Sequence, residues 1–407
     1  MGATLALTGC NFAPNAGLET RFQITLAPAD FDRVGEVMAF KFPEGVPTFD
    51  AVLRARDANA TILPLQINAS GSAITCIPRQ DAGQTLKFDV LSSSKEISMA
   101  LANVVTVNPE DGRLRFEVGG KPVFFYQMTL AKPPRDGVAD KILRGAFLYP
   151  IFTPDGVQMS DSYPADHPHD HGIWTAWTDT QFQGRNPDFW NPHYPNGGTV
   201  EFVALDNSWS GPVVGGFESR HRYMDRLVTP PMAALNENWR VSLYAAPGVK
   251  ARVFDLEVNQ TPAAADPLIL LQYRYGGLGV RGSAQWEDKS NLWVLTSSGI
   301  TDRVKADAQP AKWFFMGGNI DGKPAGIAVL DDPANFRAPQ PVRMNPDGPF
   351  FMYAPVISGG FTISADHPYH ARYRFIVQDG LPDAKFLEAC WQGFAHPPEV
   401  TVSMQEK

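Results

Sequence analysis

The run Arg113-Leu114-Arg115-Phe116-Glu117-Val118-Gly119-Gly120-Lys121-Pro122-Val123-Phe124-Phe125-Tyr126 decides the fold class. Polar and apolar residues alternate over 113–118, the two-residue period of a half-buried strand. A glycine pair follows, then a second apolar run. Strand, glycine pair, strand reads as a β-hairpin, because a two-residue turn needs residues that accept positive φ. The same pattern recurs outward from this hairpin. Arg21-Phe22-Gln23-Ile24-Thr25-Leu26, Leu63-Pro64-Leu65-Gln66-Ile67 and Leu86-Lys87-Phe88-Asp89-Val90 all alternate, with Gly and Pro between them. Further strands are expected at 146–152, 199–205, 240–246, 251–258, 267–274, 313–316, 326–330 and 371–377. Helical periodicity is weak, and Asp383 to Trp391 is the best helical stretch.

These runs predict an all-β protein. Residues 1–20 read as a tether, 21–100 as a small antiparallel β-sandwich, and 105–400 as a β-supersandwich carrying the site. The last segment is too long for a seven-stranded sandwich, so a double-sheet antiparallel supersandwich is expected. Composition agrees. Glycine and proline together make up about 17% of the 407 residues, against an average of about 12%. That excess favours short elements joined by turns. With 44% hydrophobic and 19% charged residues, a sizeable core forms.

Charge and hydropathy exclude several classes. The net charge is −8, and the longest basic stripe is Arg220-His221-Arg222, so no nucleic-acid groove is expected. No apolar run approaches the roughly 18 residues that span a bilayer. Leu7-Thr8-Gly9-Cys10 resembles a bacterial lipobox, which points to a lipid anchor at Cys10 and a periplasmic or outer-membrane lipoprotein. The apolar segment before it is short and lacks a basic start. Either translation begins upstream or Cys10 is incidental. Three cysteines make no disulfide framework, and Cys76 and Cys390 are read as buried thiols, with a single bridge as the alternative.

The chemistry-bearing stretch is Tyr163-Pro164-Ala165-Asp166-His167-Pro168-His169-Asp170-His171-Gly172-Ile173-Trp174. Pro168 biases His167 to extended geometry, and extended residues two apart share a face. His167, His169 and His171 are therefore expected to project together. Three readings remain open. The imidazoles bind a divalent metal, completed by a carboxylate or water. They act as acid/base groups in a sugar site, since an imidazole exchanges protons near neutral pH. Or they are loop histidines satisfied by backbone carbonyls. Aromatics crowd the same region. Trp174 and Trp177 read as core. Phe189 and Trp190 lie in a Pro/Asn-rich loop and read as exposed platforms for a sugar ring.

Several separated blocks resemble one family. Arg144, Tyr149-Pro150, the turn Thr153-Pro154-Asp155-Gly156 and the block Asp166 to Trp174 follow its order. Tyr275-Gly276-Gly277-Leu278-Gly279-Val280-Arg281, Gly326-Ile327-Ala328-Val329 with Asp332-Pro333-Ala334-Asn335-Phe336-Arg337, and Arg372 to Gly380 continue it. The chain resembles the PmoA-like family of uncharacterised bacterial proteins, often labelled "methane oxygenase PmoA", over about 105–380. Tyr149 stands where that family commonly has His, Asp170-His171 where it has His-Arg, and Asp332 in place of a His. Each change removes or moves a metal ligand, so a metal at His167, His169 and His171 is not favoured. The resemblance implies a supersandwich like that of galactose mutarotases and a setting among carbohydrate-degradation genes.

The expectation is a carbohydrate-active protein, a hydrolase, lyase or epimerase, acting on a sugar or oligosaccharide. His169 and His171 serve as acid/base groups and His167 orients the ligand. Glu218 and Glu287 are the candidate partner carboxylates. Arg144 and Arg281 hold negative charge, Trp190 stacks on a ring, and Tyr149 and His221 complete the binding surface. The alternatives are a non-catalytic carbohydrate-binding lipoprotein and, following the family label, a metal-dependent oxygenase.

Overall fold

The hairpin at 113–127 forms as its pattern dictates. In this computed structural model, which describes residues 20–44, 49–95, 100, 104–130 and 132–404, strands Arg113–Val118 and Lys121–Gln127 pair antiparallel. Gly119 and Gly120 both take positive φ, 60° and 74°, as a two-residue hairpin turn requires. Residues 1–19 of the expected tether, Cys10 among them, lie outside the described residues, and Thr20 opens the first strand.

The hairpin sits in a nine-stranded antiparallel sheet. Its order runs Gln309–Pro310, Pro341–Met344, Phe350–Tyr353, Gly276–Arg281, Ile173–Trp177, Phe147–Ile151, Lys121–Gln127, Arg113–Val118, Val105–Glu110. An eight-stranded sheet faces it, built on the long strands Thr199–Trp209, Val214–Asp225, Met232–Tyr244, Ala251–Pro262 and Tyr369–Asp379, with Lys323–Asp331, Trp313–Ile320 and Trp293–Thr296. Inward side chains of the two sheets interdigitate. Tyr126 stacks on Phe217 at 4.1 Å, Phe124 meets Phe254 at 4.9 Å, and Phe116 meets Phe217 at 5.7 Å. Alternation along each strand separates this core from the outer faces, which is what a double-sheet sandwich demands. The large domain is therefore a β-supersandwich.

The N-terminal sandwich is a seven-stranded sheet folded over its own core of Phe22, Ile24, Leu53, Ile77 and Val90. One strand comes from the other end of the chain, since Val400–Met404 pairs with Thr20–Leu26. The helix Ala384–Ala395 is capped by Asp383, whose side chain accepts from Lys385 N and Phe386 N. It packs Leu387, Cys390, Trp391 and Phe394 between the two domains. Cys76 and Cys390 are free, buried thiols in that cluster. Among the described residues no helix is long and apolar enough to cross a membrane.

Candidate functional site

The histidine stretch is a compact loop, not an extended segment. Asp170 N donates to His167 O at 2.9 Å, and Tyr163 N donates to Asp170 O at 2.9 Å. Pro168 supplies the first central position of the turn, which its fixed φ suits. The turn reverses the chain, so the three imidazoles do not share a face. His171 is buried, stacked on Phe147 at 4.4 Å and edge-on to Tyr163, with Nδ1 3.2 Å from Ser162 Oγ. Burial holds its pKa well below the usual imidazole range. His167 and His169 stay together, their rings 5.8 Å apart, and His169 stacks on His193 at 4.9 Å. Exposed Tyr194 meets His193 edge-on. His193, which follows the cluster in the sequence, is not among the residues the sequence assigns to the site.

Arg281 anchors the loop from the end of strand Gly276–Arg281. Its guanidinium is wholly buried, 3.4 Å from Asp170 Oδ2, 3.4 Å from Asp166 Oδ1, and paired with Glu287. Asp166 Oδ2 in turn lies 2.7 Å from His167 Nδ1. One cation cannot neutralise three carboxylates, and burial favours the uncharged acid. Asp170 is pushed up to about 7 by its burial, with Asp166 adding to the rise against the pull of Arg281. Burial also raises Glu287. Burial works the same way on Asp166, but His167 and Arg281 outweigh it and hold that carboxyl below its usual value. Burial pushes His169 down to about 3, helped by His193 and His167, so its ring is neutral at pH 7. His169 Nε2 lies 3.7 Å from Asp170 Oδ1, and His169 Nδ1 and Asp170 Oδ1 have no hydrogen-bond partner. Buried polar atoms left open in this way mark a place where a ligand can complete the bonding. His167, His169, Asp166, Asp170, Glu287 and Arg281 thus form one cluster beside His193 and the exposed Tyr194.

The other expected residues lie elsewhere. Trp190 and Phe189 are buried rather than exposed. Asp188 Oδ1 accepts from Trp190 N and Asn191 N, which folds the loop inward and packs Trp190 on Trp174 at 5.0 Å. Arg144 is buried and spends its donors on the carbonyls of Gly145, Ala146 and Thr175. Tyr149 is half-buried, on the wall of a separate cavity of about 430 Å³ shared with Gln127 and Tyr163. Glu218 points to the outer face of the eight-stranded sheet and pairs with Arg240. His221, three residues further along the same strand, faces the core. Among the described residues no group of three His, Cys, Asp or Glu side chains converges as metal ligands.

His221 belongs to a second polar knot that the sequence did not reveal. Its Nδ1 lies 2.8 Å from Glu237 Oε2, and its Nε2 lies 3.0 Å from Ser219 Oγ and 2.7 Å from Tyr126 Oη. Serine, imidazole and carboxylate stand in the order of a hydrolytic triad. All three are sealed between the sheets, however, and Glu237 is also held by Thr175, Tyr223 and Gln260. A nucleophile needs access, so this network serves the core. Ser219 is expected to resist a fluorophosphonate probe in the folded protein. Peptide mapping that found Ser219 labelled would contradict that assignment.

Asp170 and His169 act on stability in opposite senses. The raised Asp170 contributes fully below the ordinary carboxylate pKa, and that contribution is lost as pH climbs towards about 7. The lowered His169 contributes fully above the ordinary imidazole pKa, and its share is lost as pH falls towards about 3. Between about pH 4 and 6.5 the two slopes oppose each other. Asp170→Asn removes one of them. Relative to the parent, the variant is expected to gain about 1.4 kcal/mol of stability per pH unit across that window. Urea unfolding over a pH series measures it, and parallel curves would contradict it.

Comparison with known proteins adds a family. No curated protein matches the chain. Among solved structures, it is similar to a protein in the glycosyl hydrolase family 38 from Enterococcus faecalis, at 8% identity and a TM-score of 0.37, covering 95% of this chain and 48% of that one. It is also similar to an α-mannosidase from Enterococcus faecalis, at 10% identity and a TM-score of 0.38, covering 95% of this chain and 46% of that one. The chain spans about half the length of these structures. A family description matches residues 113–392, most of the supersandwich. The chain belongs to that family, DUF6807, a family of unknown function.

Proposed function

We propose that this protein is carbohydrate-active and moves protons to and from a sugar or modified glycoside at the cluster around Arg281, as a hydrolase, lyase or epimerase of the PmoA-like kind. The observation that carries the reading is His169. It is a neutral imidazole whose buried Nδ1 has no hydrogen-bond partner, and its Nε2 faces a buried carboxyl 3.7 Å away. A general base needs a free acceptor and a partner that steadies the ring as charge develops. Contacts of this length in an unliganded site shorten when substrate arrives. His169 takes the proton from a sugar carbon or hydroxyl, and Asp170 steadies the imidazolium. Glu287, partly exposed and raised by burial, protonates the leaving oxygen as its bond to the sugar carbon breaks, while the electron pair left by the proton that His169 removes forms the new bond. Arg281 offsets the anionic charge that builds up between them, and His167, held by Asp166, positions a hydroxyl.

The test is product analysis after incubation with cello-, xylo-, manno- and galacto-oligosaccharides, their aryl glycosides and their uronides. Folded His169→Ala is expected to lose about 10²–10⁴-fold in turnover, the usual share of acid/base catalysis. Undiminished turnover would remove His169 from its role. A second reading, recognition without turnover, draws on exposed Tyr194, which offers an aromatic face at the rim. Binding of a panel sugar that never yields product would favour it.

A further inference from the structure

We propose that the cleft between the N-terminal sandwich and the outer face of the eight-stranded sheet is a second binding site, for a neutral oligosaccharide. The cleft measures about 750 Å³, within the usual range for small-molecule sites, and domain boundaries are a common place for them. None of its lining residues belongs to the nine-stranded sheet that carries Arg281. The inference goes beyond the proton-transfer reading and does not depend on it.

The floor is built around Trp209. Its indole lies over Gly216 on the adjacent strand, where a Cβ would come within 2.4 Å of the ring and 2.2 Å of Val241 O. Only glycine leaves that space, so the sheet is shaped to hold an indole on its outer face. The Arg240 guanidinium lies 5.1 Å from the indole centroid and pairs with Glu218. Glu257 stands directly across from Arg240 in the ladder. Its carboxylate has no ion pair among the described residues, and neither has Lys41 on the opposite wall. Asn68 adds an amide on that wall.

One end of the cleft is locked. Gln66 of the small sandwich accepts from Val213 N at 3.1 Å and Val214 N at 2.9 Å, and donates to Val214 O at 3.1 Å. Three bonds from one side chain fix the walls, so the site is preorganised. An aromatic face with a carboxylate, an amide and cations around it matches a pyranose. The apolar C–H face stacks on the indole as the Arg240 guanidinium, which lies over the ring, swings aside, and the hydroxyls take the polar groups. The free carboxylate of Glu257 and the free ammonium of Lys41 balance, which favours an uncharged ligand.

The experiment is calorimetric titration of the full chain with cellohexaose, xylohexaose and mannohexaose. At least one is expected to bind, and Trp209→Ala and Glu257→Gln are each expected to weaken it by about tenfold, the scale of one lost stacking or charged hydrogen-bond contact. His169→Ala is expected to leave that binding unchanged. The glutamine variant covers the case in which loss of the indole disturbs the sheet. No binding by any of the three sugars, or binding that Glu257→Gln leaves intact, overturns the proposal. Sugar turnover that survives in Trp209→Ala leaves the Arg281 site standing by itself.

Discussion

Replacing Arg281 by methionine is expected to lower the stability of the protein by about 3–5 kcal/mol, the range for breaking a buried ion pair from one side. The guanidinium is wholly buried and serves Asp170, Asp166 and Glu287 together. Methionine fills similar volume, so packing is largely kept. What is lost is the guanidinium paired with Asp170, whose carboxyl has no exposure at all. The cost differs sharply among its partners. Glu287 has a side chain 40% exposed, so Glu287→Gln is expected to cost less than about 1 kcal/mol. Chemical denaturation of both variants checks the contrast. A loss under about 1 kcal/mol for Arg281→Met would mean that Asp170 takes up a proton or meets water in the variant, and that the ion pair does not hold the cluster together.

Arg374→Met is expected to be as damaging, for a different reason. Arg374 lies in strand Tyr369–Asp379 and bonds Asp255 at 2.7 and 3.1 Å within the supersandwich. It also reaches Glu36 of the small sandwich at 3.3 Å, with all three groups buried. Gly393 makes room for Glu36, since a Cβ there would sit 1.9 Å from its carboxylate. The arginine therefore ties both domains and the C-terminal helix at one point. Removing it leaves two buried acids with Arg372 as the nearest cation to Asp255, at 3.0 Å. A loss of about 3–5 kcal/mol is expected, along with protease cleavage within the small sandwich before the supersandwich unfolds. Unchanged denaturation with no new cleavage would show that the docking of the two domains does not depend on this ion pair. Burial raises Glu36, so its own contribution is complete below the ordinary carboxylate pKa and is lost as pH rises through the folded value.

Much of the fold was legible because strand signals are local. The alternation in Arg113–Val118, the glycine pair after it and the capped helix behind Asp383 all act through near neighbours. What failed was non-local. Nothing near Val400–Met404 shows that it closes a sheet begun by Thr20–Leu26. Register also escapes local reading. His221 stands across from Glu237, and that pairing turns a candidate ligand residue into a core hydrogen bond. In the site, the error was geometric. Pro168 was weighed for its effect on the residue before it, but its own place in a turn between His167 and Asp170 decided the loop. That turn separates His171 from the other imidazoles and carries Asp170 down to Arg281. Asp188 misled in the same way, since its side-chain caps draw Trp190 inward from a loop whose composition reads as exposed.

Under the proposed function, a sugar sits against the imidazoles over Arg281. Imidazole NMR of the chain with each panel sugar tests it directly. Addition of a processed sugar is expected to shift the resonances of His167, His169 and His193 while His221, sealed between the sheets, stays still. Resonances of the three rim imidazoles that stay unmoved through every addition would contradict it.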